Sequence, residues 1–318
     1  MLKKFINIPN MINFILKKLN VFIIYRLGDA VGDQLCMTAV IEEIAKKKNF
    51  KIIVISRYSE LFENNPNICL NIAFYKYSDL IQRIIRRVLL KIRGKQVENF
   101  VFQSDTYDCL ADYMRETKSK ESLIEVHSKH FKYKLNLKNA NPILYFSQEE
   151  LKKFDEKFKN LPNNFAVIQP IGKTTYTPNK EWDFDKFQEV VNSIDIDWIQ
   201  TGLNGDKVLL NVLDFTSKTK NIRELAYVIS KAQFVLCLEG LLNHLSVCVS
   251  TKSFVIFSGF SFIEISNYNS SVNIFHSPQV ECTPCWLLEK CPLPIKSCTE
   301  SISANKVIDV IKNDCDFL

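Results

Sequence analysis

The run VFIIYRLGDAVGDQLCMTAVIEEIAKK, residues 21–47, joins two patterns: five apolar residues end in Arg26 and a glycine-containing stretch, after which Leu35, Ala39, Ile41 and Ile44 recur at approximately helical spacing. The apolar segment KIIVISR (51–57) follows. An apolar run, a turn, an amphipathic helix and a second apolar run with short connections predict a parallel β-α-β unit, and so an α/β fold. The pattern resumes with FAVIQPIG (165–172), a helix over 185–194, DWIQTG (197–202), FVLCLEG (234–240) and SFVIFSG (253–259). Between the two sets, SQEELKKFDEKFKNLPNN (147–164) reads as a solvated helix closed by a Pro-Asn turn. The domain boundary is expected there, dividing the chain into 1–155 and 156–318. A chain of 318 residues suits two such cores better than one. No repeat at a fixed period is visible.

Two segments carry a different pattern. Over 79–98, Ile81, Ile84, Ile85, Val88, Leu89 and Ile92 make an apolar stripe, while Arg83, Arg86, Arg87, Lys91, Arg93 and Lys95 hold other positions with no acid among them. Such a helix either packs on a core with its basic side toward solvent or substrate, or lies on anionic lipid. The opening MLKKFINIPNMINFILKKLN has the same two readings, a membrane-surface anchor or a packed first segment.

Composition narrows the function class. With 47% hydrophobic and 24% charged residues the chain is an ordinary globular protein rather than a disordered one. A net charge of +6 is modest, and without a dense basic face or a stacking motif no nucleic-acid partner is expected. An anionic small substrate or a membrane surface fits better. No apolar stretch is long enough to span a bilayer, and the first residues lack a signal-peptide core and cleavage site, so a cytoplasmic location is expected. In that setting most of the ten cysteines are expected as reduced thiols or metal ligands.

A strand running through a glycine turn into a helix aims backbone N–H groups and the helix dipole at one point, which favours an anion. Gly28 and Gly32 are spaced G-x-x-x-G, so neither the dinucleotide fingerprint nor a P-loop is present. Two further strand ends, QPIGKTTYTPNKEW (169–182) and CLEGLLNHLSV (237–247), bring Lys180, Glu239, Gly240, Asn243 and His244 to the edge where open α/β sheets bind ligands.

Together these residues resemble glycosyltransferase family 9, the heptosyltransferase-like enzymes of bacterial surface-glycan assembly, over most of the chain. In that family a strand leads to Gly-Asp, with Thr-Pro five and six residues after the Asp. Here Gly32-Asp33 is followed by Thr38 and Ala39, so the second Gly-Asp pair is in register and Asp29 is extra. The family's Pro-Gly loop followed by Lys-x-Trp is similar to QPIG with Lys180-Glu181-Trp182, and its acid-x-Gly-x-x-His turn to Glu239 through His244. Leu241 stands where the family has glycine, with Gly240 just before it.

The resemblance implies a GT-B architecture, two Rossmann-like domains facing across a cleft, and an inverting transfer. A nucleoside-diphosphate sugar donor would sit on the second domain, with an anionic glycan or glycolipid acceptor, such as lipopolysaccharide core or capsule, on the first. Asp33 is the implied base, with Arg26, Asp29 and Gly32 on the acceptor side. Lys180, Thr175, Gly172 and the amides after Glu239 would face the diphosphate, with Glu239 on a ribose or sugar hydroxyl and Asn243 and His244 beside them. No catalytic metal or other cofactor is expected: Asp183/Asp185 and Asp195/Asp197 lie in or beside helical segments, where carboxylates more often cap helices or face solvent. The alternative is a nucleotide-sugar-binding protein of glycan assembly without turnover; an epimerase is disfavoured by the missing dinucleotide fingerprint. Peripheral contact with the inner membrane is a further expectation.

The segment CTPCWLLEKCPLPIKSC places Cys282, Cys285, Cys291 and Cys298 within 17 residues, and is similar to a cysteine-bearing C-terminal segment of some family members. Four thiolates can close a tetrahedral zinc or iron site, though reduced thiols in a loop, or disulfides, stay open. Cys36, Cys237 and Cys248 sit in apolar settings and are expected as small core residues.

Overall fold

The structure, a computed structural model, describes residues 8–26, 28, 30–47, 49–93, 100–103, 108–129, 131, 134–172, 174–276 and 280–315. The chain forms two compact units.

The first contains α1 (Ile8–Lys18), β1 (Val21–Arg26), α2 (Val31–Lys47), β2 (Lys51–Ser56), β3 (Ile68–Ala73), α3 (Asp79–Arg93) and β4 (Phe100–Gln103). Its four strands are all parallel in the order β3-β2-β1-β4. Parallel strands are covered on both faces, which explains why β1 and β2 read as unbroken apolar runs. Phe22 points to one face of β1, where its ring stacks on Phe131 at 5.6 Å and meets Phe50 at 5.4 Å. Tyr25 points to the other, in a cluster with Leu16, Ile55 and Phe74.

After β4 come α4 (Asp108–Thr117) and α5 (Leu123–Ser128). Residues 108–123 belong to the second unit and residues 124–147 to the first, so the division is not a single cut. Arg115 Nη2 donates to the carbonyl of Trp286 at 2.8 Å, and Lys120 lies 3.7 Å from Glu264, which ties the early segment to the later unit.

The second unit continues with α6 (Gln148–Lys157), β5 (Phe165–Gln169), α7 (Phe184–Ser193), β6 (Asp197–Gly202), β7 (Leu213–Thr216), α8 (Ile222–Lys231), β8 (Phe234–Leu238), α9 (Leu241–Cys248), β9 (Lys252–Phe257), β10 (Ser271–Phe275), α10 (Ser297–Glu300) and α11 (Ala304–Asp314). A boundary at 155/156 would cut α6, and α6 is more than a solvated spacer. Glu150 receives Arg223 Nη2 at 2.6 Å, Asp155 pairs with Tyr227, and Phe154 meets the Tyr227 ring at 5.3 Å, all on α8.

Six parallel strands run β10-β9-β8-β5-β6-β7. Their core holds Phe234 between Trp198, 5.5 Å away, and Phe254, 5.3 Å away, both edge-on. Asp183 caps α7 by accepting the Asp185 N–H at 2.8 Å, so that carboxylate is engaged in starting a helix. Among the described residues no helix is long and apolar enough to cross a membrane.

Candidate functional site

Each sheet reverses its winding at one point, between β1 and β4 in the first unit and between β5 and β8 in the second. Crevices open beyond the carboxyl ends of strands at such points.

In the first unit, Arg26 ends β1 and Asp33 sits in the first turn of α2. Arg26 Nη2 lies 3.1 Å from Asp33 Oδ2, with both side chains buried. His127, on α5, brings Nε2 to 3.5 Å from the same carboxylate oxygen. The turn between Arg26 and Asp33 is held by Gln34, which donates to the Gly28 carbonyl at 2.6 Å, while the Thr38 hydroxyl on α2 accepts the Ile143 N–H at 2.9 Å. Burial first, and then the Arg26 charge, hold the His127 imidazole below its ordinary range, against the opposing pull of Asp33. His127 is therefore a neutral imidazole at neutral pH. Gly32 lies within α2 beside Asp33, and Asp29 lies outside the described residues. No spacing in the sequence points to His127, which is brought in from nearly a hundred residues away.

In the second unit β5 pairs with β8, Gln169 opposite Cys237, so the loops that follow these strands run side by side. That adjacency brings Lys180 to Glu239 as an ion pair, with the lysine 23% and the glutamate 9% exposed. Lys180 Nζ also lies 5.1 Å from the centre of the Phe260 ring and 5.7 Å from that of Tyr176. Cation, carboxylate and aromatic faces thus converge outside the strand ends. A Cβ on Gly240, the residue before α9, would meet nothing within 4 Å, so the backbone there is open to approach. Thr175 is exposed in the loop between β5 and α7 that carries Lys180.

Three expected donor contacts point elsewhere. Gly172 donates its N–H to Glu181 Oε1 at 3.0 Å, and burial lifts that carboxyl above its usual range. Asn243 is fully buried, giving its amide to the Ser266 carbonyl at 2.8 Å and accepting from Ser253 at 3.1 Å and Ser271 at 2.7 Å. His244 is buried with Nδ1 2.7 Å from the Tyr268 hydroxyl. In these two α9 residues the side chains serve the interior, because the helix that carries them packs on the sheet.

The cysteine segment packs beside this loop. Asn179 donates to the carbonyls of Leu287 and Glu289 at 2.7 and 2.6 Å and accepts the Cys291 N–H at 3.0 Å, while Cys285 donates its N–H to Gly259 at 2.9 Å. Burial raises the Cys285 thiol above its ordinary range, and the Leu287 N–H opposes that rise. Among the described residues, however, no three His, Cys, Asp or Glu side chains are drawn close enough to hold an ion. Cys36 and Cys237 are buried in the core and Cys248 is half-buried.

No protein-family model matches the sequence, and no curated protein matches it. Solved structures do. A glycosyl transferase family 9 protein from Veillonella parvula superposes with a TM-score of 0.64 at 12% identity, over 93% of this chain and 97% of that one. The fold is that of glycosyltransferase family 9. The ADP-heptose LPS heptosyltransferase II of E. coli gives 0.59 at 11% identity, over 91% and 97% of the two chains. The iron-containing dodecameric glycosyltransferase TibC from enterotoxigenic E. coli gives 0.64 at 14%, over 92% and 76%. The α/β architecture is of the GT-B type that these glycosyltransferases share.

Proposed function

We propose that this protein is an inverting glycosyltransferase that moves a sugar from a nucleoside-diphosphate donor to a hydroxyl of a bacterial surface glycan, working at the cytoplasmic side of the membrane. The observation that carries the reading is Asp33, a buried carboxylate fixed by Arg26 at the winding reversal of a family 9 fold. In the reaction Asp33 takes the proton of the acceptor hydroxyl as that oxygen forms its bond to the anomeric carbon. The bond from that carbon to the diphosphate breaks, and the diphosphate leaves with the electron pair. Lys180 is the cation placed to receive the growing negative charge, and the open backbone at Gly240 admits the phosphates. For this Lys180 must exchange Glu239 for phosphate, which frees the carboxylate for a ribose or sugar hydroxyl. ADP-heptose is the first donor to try, since a heptosyltransferase with this fold carries that donor in its name.

The test has two readouts. Thermal shift with ADP, GDP, UDP and CDP should show selective stabilisation by one of them without Mg²⁺, because a ligand of the folded state raises its melting temperature. Transfer from the matching sugar nucleotide should vanish in Asp33→Asn while nucleotide binding survives. Binding by both proteins without transfer by either would favour the non-catalytic alternative.

The four-cysteine segment is part of the proposal as a structural zinc or iron site in which the ion draws Cys282, Cys285, Cys291 and Cys298 together. Their spacing within 17 residues, on a segment anchored through the Cys291 and Cys285 N–H groups, supports it, and the absence of a ready ligand group in the described residues means the segment would have to close on the metal. Elemental analysis of the purified protein should find one zinc or iron per chain; a metal-free protein would reject the site.

A further inference from the structure

Helices α1 and α3 rest on the same apolar cluster of the first unit, Leu16 buried within it and Ile85 packed half-buried against it. A helix that only supports a core turns its apolar stripe inward. Among the described side chains, these two turn most of theirs outward. On α3, Gln82, Ile85 and Arg86 are half-buried, with the Arg86 guanidinium 5.4 Å from the centre of the Phe74 ring. On the opposite side Leu80, Ile81, Ile84 and Val88 are exposed, and at about 100° per residue they share one arc bordered by Arg83 and Arg87. On α1, Met11, Phe14 and Ile15 are exposed away from Leu16, Phe14 to 65%, and Leu19 just past its end is exposed too. Exposed apolar side chains grouped on one helix face and rimmed by charge mark an interaction surface.

Charge selects what covers it. The two helices hold seven Lys and Arg residues against one acid, Asp79, a surplus equal to the whole chain's net charge of +6. The rest of the chain is balanced. A second copy docking symmetrically would set this basic face against itself, and a nucleic acid would meet the cations but leave the aliphatic side chains unused. An anionic bilayer uses both, since apolar side chains enter the boundary below the headgroups while Lys and Arg meet phosphate.

We propose that α1 and α3 together form a docking surface for an anionic lipid bilayer, with Phe14, Ile84 and Val88 among the inserted side chains and Arg83 and Arg87 at the headgroups. The surface stands independently of the transferase reading.

Co-sedimentation of the full chain with phosphatidylcholine vesicles, with and without phosphatidylglycerol, tests it. The wild type should bind only the anionic vesicles. Phe14→Ser with Ile84→Ser, and separately Arg83→Glu with Arg87→Glu, should each weaken binding by about tenfold or more. All of these positions are solvent-exposed, so both variants should keep the wild-type melting temperature, which guards against misfolding. Failure of the wild type to bind would overturn the proposal. So would apolar variants that bind as well as wild type, the mark of adsorption by charge alone. A wild-type oligomer in light scattering that the apolar variants break into monomers would instead make this face a contact between copies.

Discussion

Arg26 Nη2 stands 3.1 Å from Asp33 Oδ2, with His127 Nε2 3.5 Å from the same oxygen, in a site where none of the three side chains is more than 10% exposed. A carboxylate so enclosed is held by its partners rather than by water, and three consequences can be measured.

In the proposed reaction, replacing Asp33 with Asn removes the proton acceptor, and transfer should fall by roughly a hundredfold to ten-thousandfold, the usual worth of general-base catalysis. Nucleotide binding, assigned to the second unit in the proposed reaction, should be unchanged by calorimetry. A variant that keeps more than a tenth of wild-type turnover would remove Asp33 from the role.

Replacing Arg26 with Met leaves Asp33 buried without its cation. Breaking a buried pair in this way costs about 3–5 kcal/mol, so the first unit should unfold at clearly lower urea than wild type. Arg26→Met combined with Asp33→Asn should recover much of the loss, because no uncompensated charge then remains.

The His127 imidazole is held below its ordinary range, chiefly by burial. Its neutral form is therefore the one the fold stabilises, and the unfolded chain binds the proton first as pH falls. Stability from this group is complete above its unfolded pKa of about 6.5, and is lost as pH drops from there toward the lower folded value. Urea midpoints measured from neutral pH downward should show that loss, and His127→Gln should flatten this part of the profile.

Lys180 is paired with Glu239 at the second winding reversal. If it serves the diphosphate, Lys180→Ala should weaken nucleotide binding by about ten- to a hundredfold, the range of one hydrogen bond to a charged group. An unchanged affinity by calorimetry would leave the lysine a structural partner of Glu239 only.

Gly259 lies where a Cβ would come within 2.2 Å of Thr283 Cγ2 and 2.9 Å of Cys298 Cβ. Gly259→Ala should thus displace the cysteine segment and cost about 1–3 kcal/mol, the usual price of overpacking. The melting temperature would report it, and metal content would show whether the displaced thiols still hold an ion.

The strands were legible in the sequence because parallel strands covered on both faces need continuous apolar runs, and VFIIY, FAVIQ and FVLCL have no other comfortable place. Gly32-Asp33 and Lys180-x-Trp182 were legible through their resemblance to the family's motifs. The tertiary structure decided the partners. His127 reaches Asp33, Lys180 reaches Glu239, and residues 108–123 join the second unit through contacts between residues far apart in the chain, which no local pattern encodes. It also decided direction: the apolar stripe of α3 could be read from its period, but only the placement of Ile85 on the Phe74 cluster shows that Leu80, Ile84 and Val88 face away from it. Asn243 and His244 show the same limit in reverse, since a helix whose sequence offers polar side chains to a ligand turned them inward when its packing on the sheet buried that face.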